Sequence, residues 1–150
     1  MTIQEKAARL EANFAAFGEW LDKYNYLIEL GKSIPPIEEA YRTDNYLIKG
    51  CQSRVWLHAR MEAGVIRFSA DSDAVITRGI AALLIEVLGG HRPEEILAAD
   101  LGFIDRIGLK EHLSPTRSNG LLSMLRQMKL FALAFQAREK TKVEDDHGAE

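Results

Sequence analysis

The spacing of apolar residues changes from helical to alternating near residue 54, and this change limits the folds open to the chain. Apolar side chains recur at every second position over residues 55–61 and again over 65–70, which predicts two strands. Glu62-Ala63-Gly64 between them is short enough for a hairpin turn. The short run Tyr46-Leu47-Ile48 predicts a third strand.

The segments on both sides of the predicted strands have helical patterns. Thr2 and Glu5 form a capping box that opens a first helix. A second helix begins near Trp20, and Gly31 is expected as its C-cap. Further helices are predicted over residues 74–88, 94–98 and 121–137. The pattern predicts an α+β fold, with a small three-stranded antiparallel sheet packed against several helices.

The length and composition favour one domain in a reducing compartment. We expect residues 1–138 to form the domain and the polar residues 139–150 to be a disordered tail. With a single cysteine the chain cannot form an internal disulfide, so a cytoplasmic location is predicted. The net charge of −3 gives no electrostatic footprint for nucleic acid. The apolar run 80–88 is too short to span a membrane, so no membrane association is expected.

Several common kinds of site have no support in the sequence. The four histidines are scattered and lack the spacing of metal ligands, so no metal is predicted. Gly31-Lys32-Ser33 ends like a phosphate-binding loop, but Tyr26 stands where that motif requires glycine. No G-x-S-x-G motif occurs, so a serine hydrolase is not supported.

The one cysteine, Cys51, lies in a polar stretch between two apolar runs, in the predicted loop before the first long strand. Buried structural cysteines behave as small hydrophobes, whereas functional residues concentrate in loops. Gly50 allows a tight turn, and the cations Lys49, Arg54 and Arg117 are candidates to stabilise a thiolate. The residues alone leave both a reactive and a structural cysteine open.

Two other features allow a functional and an ordinary interpretation. Asp71 and Asp73 could act as a carboxylate pair, but their position before a predicted helix favours capping. Arg117 lies near the start of the last helix, where the helix dipole disfavours a cation. A residue that opposes its local preference is sometimes functional, although a solvated surface arginine explains it as well.

Four segments together resemble the SufE family, the sulfur acceptors of the SufE and CsdE type that serve cysteine desulfurases. They are YLIELGKSIP (26–35), IKGCQSRVW (48–56), ADSDAVITRG (70–79) and HLSPTRSNGL (112–121). The likeness covers about residues 10 to 137, and the GCQSxVW and SPxRSxG motifs are specific in order and spacing.

The resemblance implies a fold like that of the IscU iron–sulfur scaffold and a protein that needs neither a cofactor nor a metal. It implies that Cys51 accepts sulfur from a pyridoxal-phosphate-dependent (PLP) cysteine desulfurase, activates that enzyme, and passes the sulfur to an iron–sulfur cluster scaffold. Such a protein is a partner in sulfur transfer rather than a stand-alone enzyme. The residues expected to shape the loop or bind the partner are Gly50, Gln52, Ser53, Asp73 and Arg117.

Two alternatives from other classes stay open at this point. One is a protein-interaction domain in which Cys51 is structural. The other is a one-cysteine thiol peroxidase, which would need a thiol of low pKa.

Overall fold

A computed structural model describes the backbone of residues 1–51 and 53–148, and the side chains up to residue 141 of these ranges. Its helices and strands run in the order αα–ββ–ααααα. They are α1 (Ile3–Ala15), α2 (Trp20–Ser33), β1 (Val55–Glu62), β2 (Val65–Ser72), α3 (Val75–Leu88), α4 (Pro93–Ala98), α5 (Phe103–Arg106), α6 (Leu109–His112) and α7 (Pro115–Gly148). The predicted α+β class is therefore confirmed.

The sheet is a two-stranded antiparallel hairpin, paired from Val55 opposite Ser72 to Glu62 opposite Val65. Ala63 and Gly64 both have positive φ angles, 53° and 84°, as a two-residue turn that matches the twist of its strands requires. The alternating pattern thus predicted both strands and the turn.

The predicted third strand is wrong within the described residues. Asp44–Tyr46 forms a 3₁₀ turn, and Leu47 makes only one isolated bridge, with Trp56. The reason is the shortness of the run, because the chain turns away at Gly50, whose φ is 90°. The bridge nonetheless fixes the base of the loop that carries Cys51.

The helix α3 lies at the centre of the core, since it is apolar almost all round and nine of its residues are buried. It crosses α2 at two glycines. A Cβ at Gly79 would lie 2.3 Å from the carbonyl oxygen of Leu27, and one at Gly31 would lie 3.0 Å from the backbone nitrogen of Gly79. Gly31 is therefore not the C-cap that was predicted, because α2 continues to Ser33 and the glycine permits close helix packing.

The last helix differs from the expected disordered tail after residue 138. The helix α7 continues to Gly148, so residues 139–148 are helical, while positions 149 and 150 of the predicted tail lie outside the described residues. Most residues from Glu139 to Asp146 are helix formers or at least tolerated in helices, and neither glycine nor proline interrupts them. A polar composition alone does not therefore mark the end of this helix. The domain boundary at residue 138 stays a prediction.

Candidate functional site

A loop spanning residues 49–54 carries Cys51 and is closed at its base by backbone pairing. The amide of Ile48 donates to the carbonyl of Val55 over 2.9 Å. Gly50 adopts a φ of 90°, which side-chain-bearing residues rarely adopt. A Cβ at Gly50 would also lie 2.9 Å from Oγ of Ser123 on α7, so the glycine lets the loop approach that helix.

The far end of the loop is tied to the start of α3 by Asp73. Its carboxylate Oδ1 accepts from the amide of Arg54 at 3.1 Å, and its own amide donates to the carbonyl of Arg54 at 3.2 Å. The N-cap residue of α3 is Ala74, which makes no side-chain capping bond. The amide of Ala74 itself donates to Oγ of Ser72 rather than to Asp73. The capping interpretation of Asp73 is thus wrong, and the residue secures the Cys51 loop instead.

Asp71 does not cap the helix either. It lies at the end of β2 with only 5% of its surface exposed, and forms ion pairs with Arg42 and Arg78. Arg42 also lies over the ring of Trp56, 5.1 Å from the centroid. A buried carboxylate needs such partners, and Asp71 is accordingly part of the structural support beneath the site rather than a member of a catalytic carboxylate pair.

The thiol of Cys51 is half-buried where the loop meets α7. Its Sγ lies 3.8 Å from the carbonyl oxygen of Gly120, to which it can donate. Gly120 leaves room for it, because a Cβ there would lie 3.3 Å from Sγ. Burial raises the pKa of the Cys51 thiol. The resting thiol is therefore mostly protonated, and stabilisation of a thiolate by Lys49, Arg54 or Arg117 stays a prediction.

A small pocket opens beside Cys51 between three parts of the fold. Its volume is about 50 Å³. A site needs roughly 10–15 Å³ of such volume for one water molecule, so this pocket can hold one atom added to Sγ. The residues that line it are Cys51, Ser53, Thr77, Thr116, Arg117 and Gly120.

The fold brings together most of the residues singled out in the sequence. Gly50 and Cys51 lie in the loop, Ser53 and Arg117 line the pocket, and Asp73 secures the loop end. Ser53 Oγ lies 3.5 Å from Thr77 Oγ1, a long contact between two hydroxyl groups. Gln52 lies outside the described residues.

Arg117 is brought to the pocket by the first turn of α7. Its amide donates to Oγ of Ser114 over 3.3 Å, so Ser114 begins the helix and fixes where Arg117 lies. The side chain of Arg117 is exposed, at the mouth of the pocket that contains Cys51. The unusual position of this cation, which was evident in the sequence, is therefore next to the thiol.

Sequence reasoning missed three residues of the pocket. Thr116 and Gly120 fall within the SPTRSNG segment, so the signal was present but only Arg117 was chosen. Thr77 had no distinguishing signal, because a threonine in the first turn of a helix is ordinary. It is buried and lines the pocket only because the first turn of α3, which carries it, meets the Cys51 loop at Ser53.

No helix in the described part of the chain is both long and apolar enough to cross a membrane.

Comparisons with known proteins place the chain in a family. The family model described as "SufE: Fe-S metabolism associated domain" matches residues 8–132. An uncharacterised SufE-like protein of Rhizobium meliloti (strain 1021) is 44% identical over 122 residues, which cover 78% of this chain and 87% of that protein. The solution structure of a hypothetical protein from Thermus thermophilus is similar with a TM-score of 0.72 and 26% identity, covering 86% of this chain and 94% of that one. The chain therefore belongs to the SufE family, whose domain is associated with iron–sulfur metabolism.

Proposed function

We propose that this protein is a sulfur acceptor and carrier. Cys51 takes a sulfur atom from the persulfide of a PLP-dependent cysteine desulfurase, activates that enzyme by removing its product, and delivers the sulfur to an iron–sulfur cluster scaffold. The association of the family with iron–sulfur metabolism supports this class of chemistry. The observation that carries the proposal is the pocket of about 50 Å³ beside a half-buried thiol, which has room for one more sulfur.

The transfer needs no outside oxidant. The thiolate of Cys51 attacks the terminal sulfur of the donor persulfide, as a thiolate attacks a disulfide in exchange. The sulfur–sulfur bond of the donor breaks while a new one forms on Cys51. The donor cysteine leaves as a thiolate and takes up a proton, so a persulfide and a thiol give a thiol and a persulfide.

A single cysteine suits a carrier. The chain contains no second thiol, so the Cys51 persulfide cannot discharge by forming an internal disulfide. The sulfur stays on the protein until a second partner removes it. We expect this cycle to operate in the reducing cytoplasm.

The resting thiol must be activated when the donor binds, because only the thiolate is a nucleophile and burial raises the pKa of Cys51. We propose that the desulfurase shifts the loop to an open state, in which water or partner groups stabilise the thiolate. Opening would break the contact of Cys51 with Gly120 and move Gly50 away from Ser123, which it closely approaches in the closed loop. A partner that contacts only the open loop produces such a shift through its differential affinity.

Mass spectrometry of the intact protein tests the proposal. The protein is mixed with a purified PLP-dependent cysteine desulfurase and ³⁴S-labelled cysteine, and we expect one labelled sulfur, removable by a reductant. Peptide mapping should locate it on Cys51. The Cys51→Ser variant and a mixture without desulfurase are the controls, and labelled sulfur on the variant would contradict the carrier role.

The same samples separate the two alternatives. A structural cysteine gains no sulfur and reacts with alkylating agents only after unfolding. A thiol peroxidase oxidises rapidly with dilute hydrogen peroxide, which requires a thiol of low pKa. The raised pKa of Cys51 counts against that activity.

A further inference from the structure

A second groove lies between residues 45–49 and α7, next to the base of the Cys51 loop. Its volume is about 290 Å³, near the lower end of the roughly 300–1,000 Å³ typical of small-molecule sites. Lys49 belongs to its lining, and so do Ser123, Arg126 and Gln127 from successive turns of α7. The groove is therefore separate from the pocket that contains Cys51 but shares the loop with it.

The groove is positively charged. Lys49 and Arg126 both line it, both are exposed, and no acidic residue is part of the lining. Neither cation forms an ion pair with any described residue. A guanidinium presents a planar fork of donors that matches a carboxylate or a phosphate. A ligand ammonium group would have no charged partner in this lining.

The remaining lining offers both donors and apolar surface. Ser123 and Gln127 supply a hydroxyl and an amide, while Leu57, Phe131 and the ring of Tyr46 supply apolar contact. A compact ligand with one anionic group and one apolar face matches such a combination, because the polar groups then fix its orientation.

We propose that this groove binds a small organic anion, a carboxylate or phosphate ester on a compact body with one apolar face, such as an aromatic ring, and that its binding holds the Cys51 loop closed. The coupling follows from the geometry of the loop. Gly50 lies so close to α7 that a Cβ would be 2.9 Å from Oγ of Ser123. A ligand anion bound by both Lys49 and Arg126 ties the first loop residue to the same helix, two residues before Cys51.

The binding test uses phenyl phosphate and benzoate as probes, with benzyl alcohol as the neutral comparison and inorganic phosphate as the anion without a body. Calorimetric titration of the wild-type protein should show saturable binding of at least one organic anion, and weaker binding of the other two compounds. The variants Lys49→Gln and Arg126→Gln should each weaken it about tenfold, or about 1.4 kcal/mol, since each removes one charge-assisted contact on the protein surface. Arg138→Gln, which removes an exposed cation on α7 outside the groove, is the matched control and should bind like wild type.

The coupling test measures alkylation of Cys51 by iodoacetamide, an uncharged reagent. If reaction requires the open loop and the anion binds only the closed one, ligand at ten times its Kd slows the reaction up to about elevenfold. At the same ligand concentration the slowing should fall to about twofold at most in Arg126→Gln and persist in full in Arg138→Gln. Binding without any change in alkylation would overturn the coupling.

Three other outcomes overturn the proposed site. They are no binding of either organic anion, equal binding by Arg126→Gln and wild type, or equal affinity for inorganic phosphate and phenyl phosphate. If no small anion binds but Lys49→Gln and Arg126→Gln lose affinity for a desulfurase, the groove is a protein contact and the ligand proposal fails. The titrations and the alkylation contain no desulfurase, so they are independent of whether Cys51 accepts sulfur.

Discussion

The substitution Gly120→Ala separates the stability of this fold from its proposed function. Gly120 is the sixth residue of α7, and its missing side chain leaves the space occupied by the Cys51 thiol. A methyl group there would lie 3.3 Å from Sγ and 3.9 Å from Cβ of Cys51. The first distance is a few tenths of an ångström too short, so either the loop or the helix must move.

The stability of the variant should rise. Alanine in a helix interior is favoured over glycine by about 0.5–1 kcal/mol. The opposing contact involves a half-buried side chain on a surface loop, which can yield, rather than the backbone of another helix. In a chain of this size a change of 1 kcal/mol in the free energy of unfolding shifts the Tm by about 2–4 °C. We therefore expect a Tm higher by about 1–4 °C.

Sulfur acceptance should fall in the same variant. The methyl group takes space from the pocket beside Cys51 and displaces Sγ by a few tenths of an ångström. A misplacement of 1 Å can cost about a hundredfold in rate, so we expect a reduction of about three- to tenfold. Urea or thermal unfolding measures the stability, and the initial rate of persulfide formation with a desulfurase measures the function.

Gly18→Ala is the matched control. A methyl group at Gly18 would meet no atom within 4 Å, so the change should leave sulfur acceptance intact while restricting the unfolded chain in a similar way. Sulfur acceptance at the wild-type rate by Gly120→Ala would refute the idea that the persulfide occupies this pocket. A stability loss above about 1 kcal/mol would refute the idea that the loop yields.

Four further predictions follow from the described contacts. Cys51→Ser should change the free energy of unfolding by less than about 1 kcal/mol, since one atom changes at a half-buried position, yet it should accept no sulfur; a large loss in urea unfolding would favour a structural thiol. Because burial raises the pKa of Cys51, its thiolate fraction at neutral pH is reduced, so alkylation should be slower than in urea-unfolded protein and should level off at a higher pH. A pH midpoint of alkylation in the folded protein at or below that of the unfolded protein contradicts this. Gly79→Ala should destabilise the fold by about 3 kcal/mol in the same urea assay, because its Cβ would lie 2.3 Å from the backbone oxygen of Leu27, and a near-neutral result would mean that α2 and α3 separate easily. The amide of Ile48 donates to Val55 O over 2.9 Å and that of Arg54 to Asp73 Oδ1 over 3.1 Å. Both amides should exchange hydrogen faster at saturating desulfurase than in the free protein. Unchanged exchange, together with unchanged Cys51 alkylation, would exclude this loop as the moving element.

Features that depend on neighbouring residues were predictable from the sequence. The capping box of Thr2 and Glu5 begins α1 as expected, with both reciprocal hydrogen bonds. The alternation over residues 55–61 and 65–70 predicted the hairpin, because side chains in a strand point alternately to its two faces. Cys51 was identifiable as the one candidate thiol, and the motifs around it indicated the SufE family, which the family model confirms.

Features that depend on which segments meet became clear only in the folded chain. Gly31 looks like a helix end in the sequence, but its role is set by Gly79, which approaches it from α3. Asp73 looks like a helix cap in the sequence, but in the folded chain its carboxylate accepts from the amide of Arg54. In both cases a local preference gave way to a partner that lies far along the chain.

The identity of the proposed acceptor atom can be read from the amino-acid sequence, since a chain with one cysteine offers one thiol for the proposed sulfur transfer. The surroundings of that thiol are set by the packing of distant segments. The carbonyl of Gly120, which faces Sγ, is 69 residues away, and Thr77 reaches the same pocket from α3. Burial, and with it the raised pKa of Cys51, arises from these long-range contacts. A pattern of neighbouring residues cannot contain that information, because desolvation depends on what packs against a group rather than on what precedes it in the chain.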